Sequence, residues 1–126
     1  MNTQTSSTRR ELGKKGEEAA VLFLRRRGFD ICKRNWICPA GEADIIAQNK
    51  DCLCFVEVKT RTNLDHGFPE DSITLDKRRR YERIAGYYIS EHEIKDMSIR
   101  FDVISIIVLN NQRAYVRHHI NAFGKD

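Results

Sequence analysis

Gly41-Glu42-Ala43-Asp44-Ile45-Ile46-Ala47-Gln48 leads into Asn49-Lys50-Asp51, and Cys52-Leu53-Cys54-Phe55-Val56-Glu57-Val58-Lys59-Thr60 follows. Two apolar runs separated by a short polar turn read as a β-hairpin, with strands over residues 42–48 and 52–60. The second run is apolar on both faces until Glu57, the pattern of a strand in the middle of a sheet covered on both sides. Residues two apart on a strand share a face, so Glu57 and Lys59 project the same way, with Leu53 and Phe55 behind them. A carboxylate and an ammonium on an otherwise apolar central strand are costly unless they are paired or bind something. The hairpin brings Asp44, near the start of one strand, beside Glu57, near the end of the other.

Outward from the hairpin, the N-terminal side holds one helix and one strand. Residues 1–8 are rich in Ser, Thr, Asn and Gln and read as a disordered tail. A helix is expected over residues 9–27, ended by Gly28 as a left-handed cap. Its core face gathers Leu12, Gly16, Ala19, Ala20, Phe23 and Leu24. At about 100° per residue, Glu17 falls on the edge of that face, whereas Glu18 points to solvent. A strand is expected over 29–36, and Pro39-Ala40-Gly41 breaks the chain before the hairpin.

On the C-terminal side, 61–69 is a polar loop. A second helix is expected over 72–90, capped by Asp71 or Ser72, with Lys77-Arg78-Arg79-Arg80 in its first half. Residues 91–98 connect it to a very apolar strand over 99–109, and a last strand covers 114–119. The order is α-β-β-β-α-β-β, an α/β class with a mixed sheet flanked by helices. No repeat and no second domain are visible, so residues 9–126 read as a single domain.

The chain has 126 residues, 40% hydrophobic and 32% charged, the composition of a globular protein with a heavily charged surface. Its 22 Lys and Arg against 18 Asp and Glu give a net charge of +4, modest but suited to a polyanionic ligand. No apolar run approaches the roughly 20 residues that span a bilayer, and no apolar signal-peptide core opens the chain. A cytoplasmic location without membrane contact is therefore expected, with reduced cysteines. Cys32, Cys38, Cys52 and Cys54 lack a CxxC pair and read as packing thiols, Cys52 and Cys54 sharing a strand face with Val56 and Val58.

The hairpin carries the chemistry. Two facing carboxylates, Asp44 and Glu57, make a hard oxygen site suited to Mg2+ or Mn2+. Such an ion lowers the pKa of a water and neutralises charge growing on a phosphate. Lys59 beside it is placed to hold the attacking water or to stabilise the transition state. Glu42, on the same side as Asp44, is a candidate supporting group. Arg61 is a candidate phosphate contact. Asp102, after Arg100, reads as a structural ion-pair partner. His118 and His119 have no partner visible in sequence.

These residues carry a family likeness over about residues 13–123. It rests on Gly16-Glu17, Asn35-Trp36, Gly41-Glu42-Ala43-Asp44-Ile45-Ile46, Val56-Glu57-Val58-Lys59-Thr60-Arg61, Lys77-Arg78-Arg79 and Arg100-Phe101-Asp102-Val103. The chain resembles the bacterial YraN-type family of uncharacterised proteins, which look like restriction endonucleases and archaeal Holliday-junction resolvases. The resemblance implies a restriction-endonuclease-like fold of the superfamily whose site reads Asp…Glu-x-Lys. It implies Asp44, Glu57 and Lys59 as active-site residues and Glu17 as the helical glutamate that assists the metal site. One departure is Ala43, where the family usually has a branched apolar residue.

Two functions follow from this reading. The first is a Mg2+- or Mn2+-dependent DNA endonuclease acting on branched or damaged DNA. In it Asp44 and Glu57 hold the metal, Lys59 and Glu17 complete the catalytic set, and Arg61, Lys77, Arg78 and Arg79 contact nucleic acid. The second is a non-catalytic nucleic-acid-binding or protein-interaction module on a nuclease fold. The resolvases it resembles act as dimers, so a homodimer is the expected assembly.

Overall fold

The computed structural model describes residues 5–62, 74–110 and 113–121, with the side chains of 5–8 outside that description. Seven elements follow the expected order: α1 (Thr5–Arg26), β1 (Asp30–Cys38), β2 (Gly41–Asn49), β3 (Cys52–Arg61), α2 (Leu75–His92), β4 (Ser98–Val108) and β5 (Ala114–His119). The strands form a five-stranded sheet in the spatial order β1-β2-β3-β4-β5. All neighbours are antiparallel except β3 and β4, which run parallel. Only that parallel pair needs a crossover, and α2 supplies it.

The central place of β3 follows from its composition. Leu53 and Phe55 pack toward α2 with Tyr81, Ile84, Ala85 and Tyr88. Cys54 and Val56 pack toward α1 with Ala20, Val21 and Leu24. The sheet therefore has one helix on each face and two cores. β4 is apolar for the same reason: it is paired on both sides, and residues 102–107 are buried. That accounts for its hydrophobicity without a subunit interface.

Both helices end on left-handed residues. Gly28 takes φ +91. Its N–H donates to Arg25 O and that of Phe29 to Leu24 O, each at 3.0 Å, the paired closure that glycine favours after a helix. At the end of α2 the left-handed residue is Glu93, with φ 52, so that helix runs two residues past the expected Ser90 with no glycine to announce its end. Its start also differs from expectation. The cap is Thr74, whose side chain accepts from the Lys77 N–H, while Asp71 and Ser72 lie outside the described residues. α1 begins at Thr5, four residues ahead of the expected Arg9.

Gly16 sets how closely α1 approaches the sheet. A Cβ there would overlap the Thr60 side chain, so α1 rests on β3 where β3 carries its charged residues. Gly16 and Ala20 face the core, Glu17 is half-buried and Glu18 is exposed, the helical phase read from the sequence.

The four cysteines are free thiols, and Cys52 and Cys54 sit 3.8 Å apart on the α1 side of β3. Among the described residues no helix is long and apolar enough to cross a membrane.

Candidate active site

The β2–β3 ladder is regular from Asn49–Cys52 to Ile45–Val56 and stops there. Asp44 and Glu57 are the next residues on each strand. Beyond that point the Val58 N–H donates to Asp44 Oδ2 at 2.8 Å. The aspartate side chain thus takes a donor where the ladder ends.

The pleat also breaks at Asp44. Ile45 belongs to the α1-side core and Ala43 to the α2-side core, although regular alternation would put both on one side. On β1, between the residues paired with Ala43 and Ile45, Asn35 takes φ 51. Asn35 Nδ2 donates to Glu17 Oε1 at 3.1 Å, fastening the α1 glutamate to β1. Asp44 therefore sits at a kink with Glu17 on the α1 side and Glu57 on the α2 side.

The electrostatics match this crowding. Burial pushes the Asp44 carboxyl up to about 6, the Val58 N–H opposes that, and Glu17, Glu57 and Glu42 push it further up. Glu57 is held on one side only. Its Oε2 accepts from Lys77 Nζ at 2.9 Å, while Oε1 is buried with no hydrogen-bond partner among the described residues. Burial and then the neighbouring Lys77 lower Lys59, with Glu57 pulling the other way. Burial first, then Glu57 and Asp44, raise the phenol of Tyr81, which therefore stays neutral beneath the carboxylates.

The structure thus draws Asp44, Glu57, Lys59 and Glu17 into one electrostatic neighbourhood. Of the basic candidates, Lys77 reaches into the site rather than standing outside it. Arg61 is exposed at the end of β3, Arg79 is exposed on α2, and Arg78 is half-covered. The Arg80 stem lies over Gly41, where a Cβ would come 3.3 Å from Arg80 Cδ.

The residues present fit a hard divalent ion. A buried carboxylate oxygen without a donor and a second carboxylate destabilised by like charge both call for positive charge. Among the described residues no three His, Cys, Asp or Glu side chains gather into a ready cage. A pair of carboxylates suits Mg2+, which keeps several of its waters and needs only one or two.

Sequence reasoning missed three features. Asn35 is an anchor for Glu17, and its only signal in the sequence was its place in the Asn35-Trp36 pair of the family likeness. Lys77 falls on the site face of α2, as its spacing four residues before buried Tyr81 indicates in hindsight. His118 has a partner after all: its Nε2 lies 2.8 Å from Asp102 Oδ2. Asp102 also accepts from Arg100 Nε at 3.0 Å, the ion pair expected from the sequence.

Comparison with known proteins gives the chain its relatives. Residues 16–106 match the model of the uncharacterised protein family UPF0102. A UPF0102 protein of Dictyoglomus thermophilum is 46% identical over 115 residues, covering 90% of this chain and 98% of that one. One from Myxococcus xanthus is 41% identical over 123 residues, covering 98% and 97% respectively. One from Caldicellulosiruptor saccharolyticus is 45% identical over 98 residues, covering 78% and 83%.

Proposed function

This chain belongs to the uncharacterised protein family UPF0102, and from the geometry of its site we propose that it is a metal-dependent endonuclease hydrolysing phosphodiester bonds in DNA. The observation that carries the reading is the unmet demand of the paired carboxylates. Asp44 is raised by burial and by three neighbouring glutamates, and Glu57 Oε1 is buried without a donor among the described residues. Lys77 answers one oxygen of Glu57 and no cation is recorded against Asp44 among the described residues, whereas a pair kept only for stability would be answered in full.

Asp44 and Glu57 would hold a Mg2+ or Mn2+ ion. When bound, the ion supplies neutralisation of phosphate charge and a more acidic water. The chain's own residues do the rest. The Val58 N–H fixes the rotamer of Asp44. Glu17, tied to Asn35, adds negative charge on the α1 side that strengthens cation binding. Lys59, on the face of Glu57, holds its ammonium toward the phosphate, where it orients the attacking water and stabilises the charge that develops on the phosphoryl oxygens. The water oxygen bonds to phosphorus and gives up a proton to solvent as a P–O ester bond breaks, and the alkoxide that leaves takes up a proton from solvent. Arg61, Arg78 and Arg79 contact backbone phosphates around the cut.

Its basic residues would meet backbone phosphates, so the enzyme reads backbone and shape, and branched or damaged DNA is its substrate class. A two-fold symmetric junction would be met by a homodimer placing one site on each strand. The competing reading, a nucleic-acid-holding module without catalysis, draws on the Lys77–Glu57 ion pair, which partly neutralises the site without a metal. Both are tested by incubating linear, flapped, forked and four-way DNA with Mg2+ or Mn2+, beside Lys59→Ala. The nuclease reading expects cleavage that requires metal and falls about 100-fold or more in the variant. Binding without cutting on every substrate would favour the module.

A further inference from the structure

Lys77 lies outside the Asp…Glu-x-Lys motif, twenty residues after Glu57 and on another element, yet its side chain reaches one of the two carboxylates. Its Nζ lies 2.9 Å from Glu57 Oε2, in a pair whose side chains are only 20% and 15% exposed. The other Glu57 oxygen has no partner among the described residues. The lysine is carried by the first turn of α2, where Thr74 accepts the Lys77 N–H at 3.1 Å and fixes that turn. Arg78 and Arg79 follow directly, on the helix surface read as facing phosphate.

We propose that Lys77 is a placeholder cation: it neutralises Glu57 while the metal is absent, is displaced when the divalent ion takes Glu57, and then turns to a DNA phosphate. The proposal rests on the nuclease reading and names a positioning residue that couples metal loading to substrate binding. A divalent ion on Glu57 Oε1 would stand only a carboxylate's width from the ammonium on Oε2, and two cations that close repel strongly at this burial. A lysine has a long stem with several rotatable bonds and a strongly hydrated, compact head, so it can leave one anion for another without moving the helix. With the ion on Glu57, the nearest unanswered negative charge for the freed ammonium is the phosphate flanking the cut. The site thus passes from a self-neutralised state to one in which metal and DNA each favour the other, as thermodynamic linkage requires.

The full chain is titrated with Mn2+ alone by calorimetry, comparing wild type, Lys77→Gln and Asp44→Asn. DNA binding is then measured against salt with and without Ca2+, which fills hard oxygen sites. Lys77→Met repeats the comparison with the aliphatic stem kept, and circular dichroism checks that each variant is folded. The expected results are two. Mn2+ binds Lys77→Gln about three- to tenfold more tightly than wild type, because no ion pair must be broken first. Ca2+ also steepens the salt dependence of wild-type DNA binding by about one phosphate contact, a change absent in both Lys77 variants. Mn2+ binding that is lost in Asp44→Asn but unchanged or weaker in Lys77→Gln overturns the displacement while leaving the metal site standing. An unchanged salt slope on adding Ca2+ overturns the transfer to phosphate. No Mn2+ binding by wild type overturns both the metal site and the placeholder.

Discussion

Asp102 and Asp44 are both carboxylates set within the same sheet, and they are answered in opposite ways. Asp102 is fully buried. It accepts from Arg100 Nε and Nη2 at 3.0 Å each and from the Asn121 N–H at 2.8 Å, with His118 Nε2 at 2.8 Å completing the shell. Burial alone would raise its carboxyl, but His118, Arg100 and the Asn121 N–H together hold it below the ordinary value. Asp44 has the Val58 N–H as its recorded donor, faces three glutamates, and is pushed up to about 6. A carboxylate that the fold needs is given its donors by the fold. Asp44 is left short of donors at a cost to the fold, which marks it as the candidate for a ligand.

The comparison breaks first at Asp102. Asp102→Asn should lower stability by about 3 kcal/mol at neutral pH, because it leaves Arg100 and His118 without their anion. Urea unfolding measures this, and a loss within error of zero would mean that the cluster is decoration rather than structure. Linkage adds a sign. A depressed carboxyl contributes stability that is present above its ordinary range and lost as pH falls through the folded value.

Asp44 should behave oppositely. Asp44→Asn keeps an acceptor for the Val58 N–H and removes a badly placed charge, so it should raise stability by about 1–2 kcal/mol at pH 7. The raised carboxyl means that the folded state holds this proton more tightly than the unfolded chain does. Wild-type stability from this group therefore falls as pH rises from 3.8 to about 6. The melting-temperature gap between Asp44→Asn and wild type should be small below that window and level off above it. A gap that is constant with pH would assign the gain to something other than the charge.

How each feature showed in the sequence depends on how local its cause is. The hairpin, the central place of β3 and the phase of α1 were legible because strand and helix periods are short, and Glu57, Lys59 and Glu17 repeat at those periods. The end of α1 was legible because Gly28 is the residue a left-handed cap favours. The end of α2 was not, since Glu93 takes the same conformation without the glycine signal. Asp71, Ser72 and Thr74 all have capping side chains, so composition could not choose among them. The bond between His118 and Asp102 joins residues sixteen apart through the β4–β5 pairing, which no local pattern announces. Lys77 was visible as a cation but not as Glu57's partner, because its reach depends on where α2 packs.

Gly16 tests the α1 side of the site. Gly16→Ala puts a methyl group against Thr60 and should cost about 1 kcal/mol or more by overpacking, read as a fall in melting temperature. An unchanged melting point would show that α1 can ride further from β3 than the close contact implies.

The smallest effect belongs to the two adjacent glutamates. Glu17→Gln should weaken Mn2+ binding about two- to fivefold, since Glu17 stands near Asp44 and makes no ligand cage with it. Glu18→Gln, on the exposed face, should leave it unchanged in the same titration. Equal effects from both would place the site's negative field elsewhere.

The central claim is that Asp44 is held at a cost because it acts on DNA. The most direct measurement is the Mg2+-dependent cleavage rate of four-way and flapped DNA by wild type and Asp44→Asn, each corrected for its folded fraction. The account predicts that the more stable variant is the inactive one, with its rate down about 1,000-fold. Cleavage by Asp44→Asn at the wild-type rate would contradict it.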